Sequence, residues 1–166
     1  MNVKSAAAGT LDTLRKALAL QQAGEIEKAQ RLYKTVLKKN PASADANNLL
    51  GVTYRQLGFP KRAVEFIRKA IALAPDRGPY YANLARALSD LPETTPDEIL
   101  AVADKALSFS PSLPEARNLR AISLTKLGRE GEAEAELLQL IQDQPTYADA
   151  YRNYGVILRD RKDHSK

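Results

Sequence analysis

The sequence predicts an all-α protein built from a repeated pair of helices, and two observations carry that prediction. Of 166 residues 44% are apolar, but Ala and Leu carry that share, with only three Phe and seven Tyr, a balance that favours helix over sheet. Pro41, Pro75, Pro111 and Pro145 follow one another at 34, 36 and 34 residues. Ahead of three of them stands one skeleton: Gly24, Ala29, Tyr33, Val36; Gly58, Ala63, Ile67, Ala70; Gly128, Ala133, Leu137, Leu140. In each copy the step from Gly to the small residue is five and the step on to the bulky residue is four. Such a period is the mark of a repeat architecture.

The elements follow in order. In the first pair, residues 10–43, the first helix stops at Gly24, because Gly tolerates the left-handed conformation of a helix end. The second stops at Pro41, which cannot continue a helix. The second pair, residues 44–77, reads Asn47, Leu50, Gly51, Tyr54, then Ala63, Ile67 and Pro75. The third, residues 78–113, reads Tyr81, Leu84, Ala85, Leu88, then Ile99, Ala103, Ala106 and Pro111, with a turn two residues longer across Asp90 to Pro96. The fourth, residues 114–147, reads Arg117, Ala121, Leu124, Ala133, Leu137 and Pro145. A terminal helix, residues 148–162, reads Tyr151, Tyr154, Gly155 and Leu158, and its polar ending Arg159-Asp160-Arg161-Lys162-Asp163 suits a solvated cap. Gly51, Ala85, Ala121 and Gly155 share one helix position, where small residues let the partner helix with Ala63, Ile99 or Ala133 come close. Thr95-Pro96-Asp97-Glu98 and Ser112-Leu113-Pro114-Glu115 both read as capping boxes that restart helices.

From about Leu11 to Asp160 this pattern resembles the tetratricopeptide repeat family. In the second pair only two of seven signature positions depart, with Asn47 where Trp is usual and Ile67 where an aromatic is usual. The resemblance implies one domain over residues 1–166, a right-handed superhelix of about four repeats plus a C-terminal capping helix. Neighbouring pairs must stack, since one pair cannot bury its apolar face. It further implies a protein–protein interaction scaffold, with first helices lining a concave groove that takes a peptide segment or helix of a partner.

Carried over by position, the groove residues form three ladders: Asn48, Ala82, Asn118, Arg152; then Val52, Arg86, Ile122, Val156; then Arg55, Ser89, Thr125, Arg159. Asn suits a peptide backbone because its amide both donates and accepts, and Arg suits a carboxylate through paired charge-assisted bonds. Some family members clamp the C-terminal carboxylate of chaperone peptides with Lys, Asn and Arg. The corresponding places here hold Leu14, Leu18, Leu49, Pro79 and Asn83, so only Asn83 is of clamp type and a co-chaperone is not expected. Leu11, Leu14 and Leu18 either form an apolar contact patch at the front of the groove, or are covered by residues 1–10, or pack internally.

A second reading makes these residues the N-terminal part of a larger bacterial enzyme. Leu49-Leu50-Gly51-Val52 with Ala63-Val64-Glu65-Phe66-Ile67-Arg68-Lys69-Ala70-Ile71 looks like repeats that precede sulfotransferase or glycosyltransferase domains, which would put the chemistry outside this chain.

Catalysis within the chain is not expected. There is no Cys, hence no thiolate nucleophile, zinc knuckle or iron–sulfur site, and the single His164 stands three from the end. Glu130, Glu132, Glu134 and Glu136 are expected on an exposed second-helix surface without a cleft to shift a carboxyl pKa. No Gly-rich phosphate loop occurs. Catalytic residues, metal and cofactors are therefore all read as none. No apolar run is long enough to span a bilayer, so no membrane insertion is expected and the default location is cytoplasmic.

The net charge of +5 hides a polarity. Residues 1–75 hold thirteen basic against five acidic groups, residues 76–145 seven against twelve, and residues 146–166 five against three. The basic pairs Lys38-Lys39, Lys61-Arg62 and Arg68-Lys69 fall on second helices. This polarity suits an acidic protein partner, or weak self-association of basic end on acidic end. Nucleic acid is not expected, because aromatics for base stacking are not interleaved with the basic residues.

Overall fold

The computed structural model describes residues 3–163, which leaves His164 outside the described residues. Within them the chain forms nine helices and no strand: α1 (Val3–Gln22), α2 (Ile26–Lys39), α3 (Ala44–Gln56), α4 (Pro60–Leu73), α5 (Gly78–Ser89), α6 (Pro96–Phe109), α7 (Pro114–Lys126), α8 (Glu130–Asp143) and α9 (Ala148–Asp163). α1 spans Val3–Gln22, so residues 3–9 lengthen the first helix rather than fold back over its leucines. Leu11 and Leu18 stay exposed, while Leu14 packs on the core.

Three of the four turns inside a pair are three residues long and hold the expected glycine. Gly24, Gly58 and Gly128 have φ of 79°, 82° and 73°, the left-handed region that a side chain disfavours. The α5–α6 turn has no glycine and runs over residues 90–95. The Thr95 capping box closes it: Thr95 Oγ1 accepts from the Glu98 N–H at 3.3 Å, and Glu98 Oε2 accepts from the Thr95 N–H at 2.9 Å. The second capping box, at Ser112, does not form. α7 starts at Pro114 with Leu113 as its cap residue and no side-chain cap bond. Leu113 stands where Ser43 caps α3, and the repeat phase fixes the helix start there.

The close approach within a pair is clearest at Gly51. A Cβ at this position would lie 2.6 Å from Ile67 Cγ1 and 3.0 Å from the Ala63 carbonyl oxygen. Ala85 with Ile99, and Ala121 with Ala133, meet in the same way inside the core. One buried cluster runs from Ala17 of α1 to Leu119 of α7, a second from Leu100 of α6 to Ile157 of α9, and a third joins Ala82, Ala106 and Ala116, so buried apolar side chains occur in every repeat. Each first helix also touches the next first helix (α1·α3, α3·α5, α5·α7, α7·α9), whereas no second helix reaches another second helix. The stack therefore curves, with odd-numbered helices on its inner side. At the far end Gly155 meets nothing within 4 Å, and Tyr151 and Leu158 are exposed, because the described residues hold no helix after α9.

Polar groups tie repeats together as well. Tyr33 is fully buried, and its hydroxyl donates to Gln21 Oε1 at 2.8 Å while Gln21 donates on to Gln56 at 2.8 Å. Burial pushes that hydroxyl up to about 12. Tyr80 of α5 donates to Asp45 of α3 at 2.5 Å, and burial together with that carboxylate pushes it up to about 12.

The acidic row of α8 departs from its expected exposure. Glu136 is 12% exposed and bridges Arg117 and Arg120 of α7, each at 2.5 Å; Arg117 also pairs with Asp143 at 2.5 Å, and Arg120 with Asp104 of α6 at 2.8 Å. Glu134 holds Arg161 of α9 at 2.7 Å. Arg117 occupies the fourth position of its helix, where Asn47 and Tyr81 instead donate to the Pro41 and Pro75 carbonyls. A guanidinium there draws Glu136 inward. Burial opposes the charge on Arg117, but the two carboxylates outweigh it and its pKa is raised. The Arg117 hydrogen bond holds Asp143 below the usual carboxylate range.

Three outcomes follow from this packing. Gly51→Ala lowers stability by about 1–3 kcal/mol, because the overpacked Cβ meets backbone, whereas Gly155→Ala raises it by about 0.5–1 kcal/mol through helix propensity; urea unfolding of both variants separates them. Glu136→Ala costs about 3 kcal/mol by leaving two guanidinium groups without their shared carboxylate, read in the same assay. A depressed Asp143 stabilises the fold above the ordinary aspartate pKa, and that contribution is lost as pH falls through the lowered value. Between pH 5 and 2 the wild type therefore loses more stability than Arg117→Met, as thermal melts at each pH will record.

Candidate functional site

The inner face is set by helix position. α3, α5, α7 and α9 start at 44, 78, 114 and 148, so the three predicted ladders are their fifth, ninth and twelfth residues, one helical face.

The fifth-position ladder is mostly packed away. Asn48, Ala82 and Asn118 are 6%, 4% and 1% exposed, which corrects their expected place as groove-lining residues; only Arg152 is exposed, and it pairs with Asp149 on its own helix. The reason is that each of the two asparagines is held by the next first helix. Asn83 donates from Nδ2 to Asn48 Oδ1 at 3.1 Å, and Asn153 to Asn118 Oδ1 at 2.7 Å. Asn83 and Asn153 are half-buried at the sixth position, and each spends one N–H in that bond, in which its carbonyl oxygen and second N–H take no part. They were absent from the predicted set, although Asn48, Asn83, Asn118 and Asn153 recur at a constant 35 residues. The helix starts recur at 34 and 36, which hides that spacing.

The twelfth-position ladder is half-buried or exposed but largely engaged. Arg55 pairs with Asp90 at 3.2 Å and Arg159 with Asp160 at 3.3 Å. The Ser89 and Thr125 hydroxyls donate back to the Arg86 and Ala121 carbonyls of their own helices. The ninth-position ladder is the open one: Val52, Arg86, Ile122 and Val156 are all half-buried. The Arg86 side chain lies beside the Tyr147 hydroxyl. Burial raises that hydroxyl's pKa, the Glu115 charge adds to the rise, and Arg86 works against it.

Away from this face, the long α5–α6 turn leaves two shallow clefts. One, of about 490 Å³, lies between α4 and α6 over Val64, Leu88 and Val102; the other, of about 410 Å³, lies between Phe59 and Pro92. The basic pairs Lys38-Lys39, Lys61-Arg62 and Arg68-Lys69 are exposed on the second helices. Among the described residues no cluster of His, Cys, Asp or Glu is arranged to hold a metal, and no helix is long and apolar enough to cross a membrane.

A family model described as tetratricopeptide repeat matches residues 14–78. The fold agrees with TTC0263, a tetratricopeptide protein of Thermus thermophilus, at a TM-score of 0.80 and 22% identity over 92% of this chain and 82% of that one. This chain is a tetratricopeptide repeat protein. The tetratricopeptide solenoid also resembles YrrB, a repeat protein with an unusual peptide-binding site, at a TM-score of 0.69 and 24% identity over 90% of this chain and 76% of that one. Among sequence relatives, the probable UDP-N-acetylglucosamine–peptide N-acetylglucosaminyltransferase SPINDLY of Hordeum vulgare is 30% identical over 88% of this chain, and the protein O-mannosyl-transferase TMTC3 of Homo sapiens 28% identical over 82%. The chain spans only 16% and 15% of the lengths of those two proteins. A tetratricopeptide fold of this kind supports a scaffold for protein interaction, and its function resides in its surfaces.

Proposed function

We propose that this tetratricopeptide chain binds an extended segment of a partner protein along the inner face of its first helices. The observation that carries the reading is the open ninth-position ladder of Val52, Arg86, Ile122 and Val156, with the half-buried amides of Asn83 and Asn153, each with hydrogen-bonding capacity beyond its one bond to the preceding first helix, one turn before it. Half-buried aliphatic side chains in a row give a partner's side chains apolar contact, and amides that both donate and accept can hold its backbone. The single-domain organisation over residues 1–166 fits this reading, since buried apolar side chains occur in every repeat.

The test is selection of a displayed random twelve-residue peptide library on the purified chain. Enriched peptides should lose at least tenfold in affinity against Val52→Asp/Ile122→Asp and keep it against Lys38→Glu/Lys39→Glu on the outer face, measured by fluorescence anisotropy. A library without enrichment, or peptides that ignore the inner-face pair, would sink the reading.

A second reading is favoured by the glycosyltransferase relatives, which carry matching repeats in a small part of much longer chains. Here the repeats present a protein substrate to a catalytic domain outside these residues. Sequencing the gene on both sides of the 166 codons tests it: a contiguous transferase domain supports it, and stop codons bounding the repeats refute it.

A further inference from the structure

We infer that the inner face selects a partner segment with one acidic side chain seated on Arg86, flanked three residues away on each side by apolar side chains seated on Val52 and Ile122. This rests on the groove reading and adds the chemistry of the occupant. Four arginines among the described residues are buried or half-buried: Arg55, Arg86, Arg117 and Arg120. Three have carboxylates, with Arg55 on Asp90, Arg117 on Glu136 and Asp143, and Arg120 on Asp104 and Glu136. Arg86 has none within ion-pair distance. Its neighbour is the Tyr147 hydroxyl, while Glu115 and Asp149 act on Tyr147 without reaching the guanidinium.

A guanidinium carries five donors and is costly to desolvate unless they are met. A neutral hydroxyl meets one of them. The remaining donors form a fork that fits a carboxylate.

The flanks follow from the stacking. Val52, Arg86 and Ile122 hold the same position on successive first helices, which touch one another. Packed helices lie roughly 8–10 Å apart, and a segment in the polyproline II conformation rises about 3.1 Å per residue with three residues per turn, so its side chains three residues apart share one face about 9 Å apart and match neighbouring positions. Asn83, one turn before Arg86, offers its remaining amide groups to the backbone between them.

The same library decides the matter when each peptide is displayed with its C terminus fused to the coat protein, so that only side-chain carboxylates are offered. On the wild type, enriched peptides should carry Asp or Glu with apolar residues three before and three after. On Arg86→Gln the acidic preference should vanish, and on Arg86→Glu it should invert to Lys or Arg at the same place, a gain that a misfolded variant cannot give. Enriched peptides that answer to Val52 and Ile122 but lack the acidic residue, or that keep it on Arg86→Glu, overturn this inference and leave the groove reading intact. Peptides indifferent to Val52 and Ile122, or no enrichment at all, overturn both.

Discussion

The structure depends on one close approach, between the small eighth residue of a first helix (Gly51, Ala85, Ala121) and the second helix that it faces. At Gly51 there is no room for even a methyl group before Ile67 and the Ala63 carbonyl. Helices brought this near bury Leu50 and Ile67 fully, and with them Tyr33, Ala103 and Leu137 at the position of Ile67; a large apolar side chain so buried is worth about 1.5–3 kcal/mol. The pair is thin at this point, which lets the next first helix slide beside it. Repetition of the contact keeps the first helices in touch and the second helices apart, and that difference is the curvature. The inner face is therefore a consequence of small residues two layers beneath it.

This explains why the fold was legible in the sequence and much of the inner face was not. Gly24, Gly58 and Gly128 and the four spaced prolines are backbone demands, fixed by φ and by a missing N–H, and they read the same in any copy. Glu136 reads as one more acid in a solvated row; only the Arg at position 117, in a place that elsewhere holds Asn or Tyr, makes it a buried bridge. Ser112 and Glu115 have capping-box spacing, yet the helix starts at Pro114, because stacking against the preceding repeat fixes the start more firmly than one local hydrogen bond does. Asn48 and Asn118 have the right type for a groove, but their amides are taken by Asn83 and Asn153 of the next repeat. Local patterns were reliable where the backbone decided them and less so where a neighbouring repeat did.

The long turn of the third repeat shows the same division. Two extra residues would be expected to loosen the stack, but the Thr95 capping box restarts α6 in phase, and Arg55 reaches across to Asp90 at the start of the turn. Lys61 likewise reaches Glu93 at 3.1 Å. The insertion is absorbed at the edge, where it opens two clefts, and the register of first helices is kept. Arg86 thus stays level with Val52 and Ile122 despite the longer period.

Charge has to be read by surface rather than by sum. The basic excess of residues 1–75 lies largely on exposed second-helix residues such as Lys38, Lys39, Arg62 and Arg68, where salt screens it within roughly 10 Å and where it acts on long-range approach more than on local contact. The inner face behaves differently. Its arginines at the twelfth position are already paired, its fifth position is packed except at Arg152, which is paired too, and between Val52 and Ile122 a single half-buried guanidinium is left without a carboxylate. A net charge of +5 describes neither surface. What distinguishes the inner face is the location of one charge in a partly desolvated place, where its interactions are stronger than those of the many lysines outside.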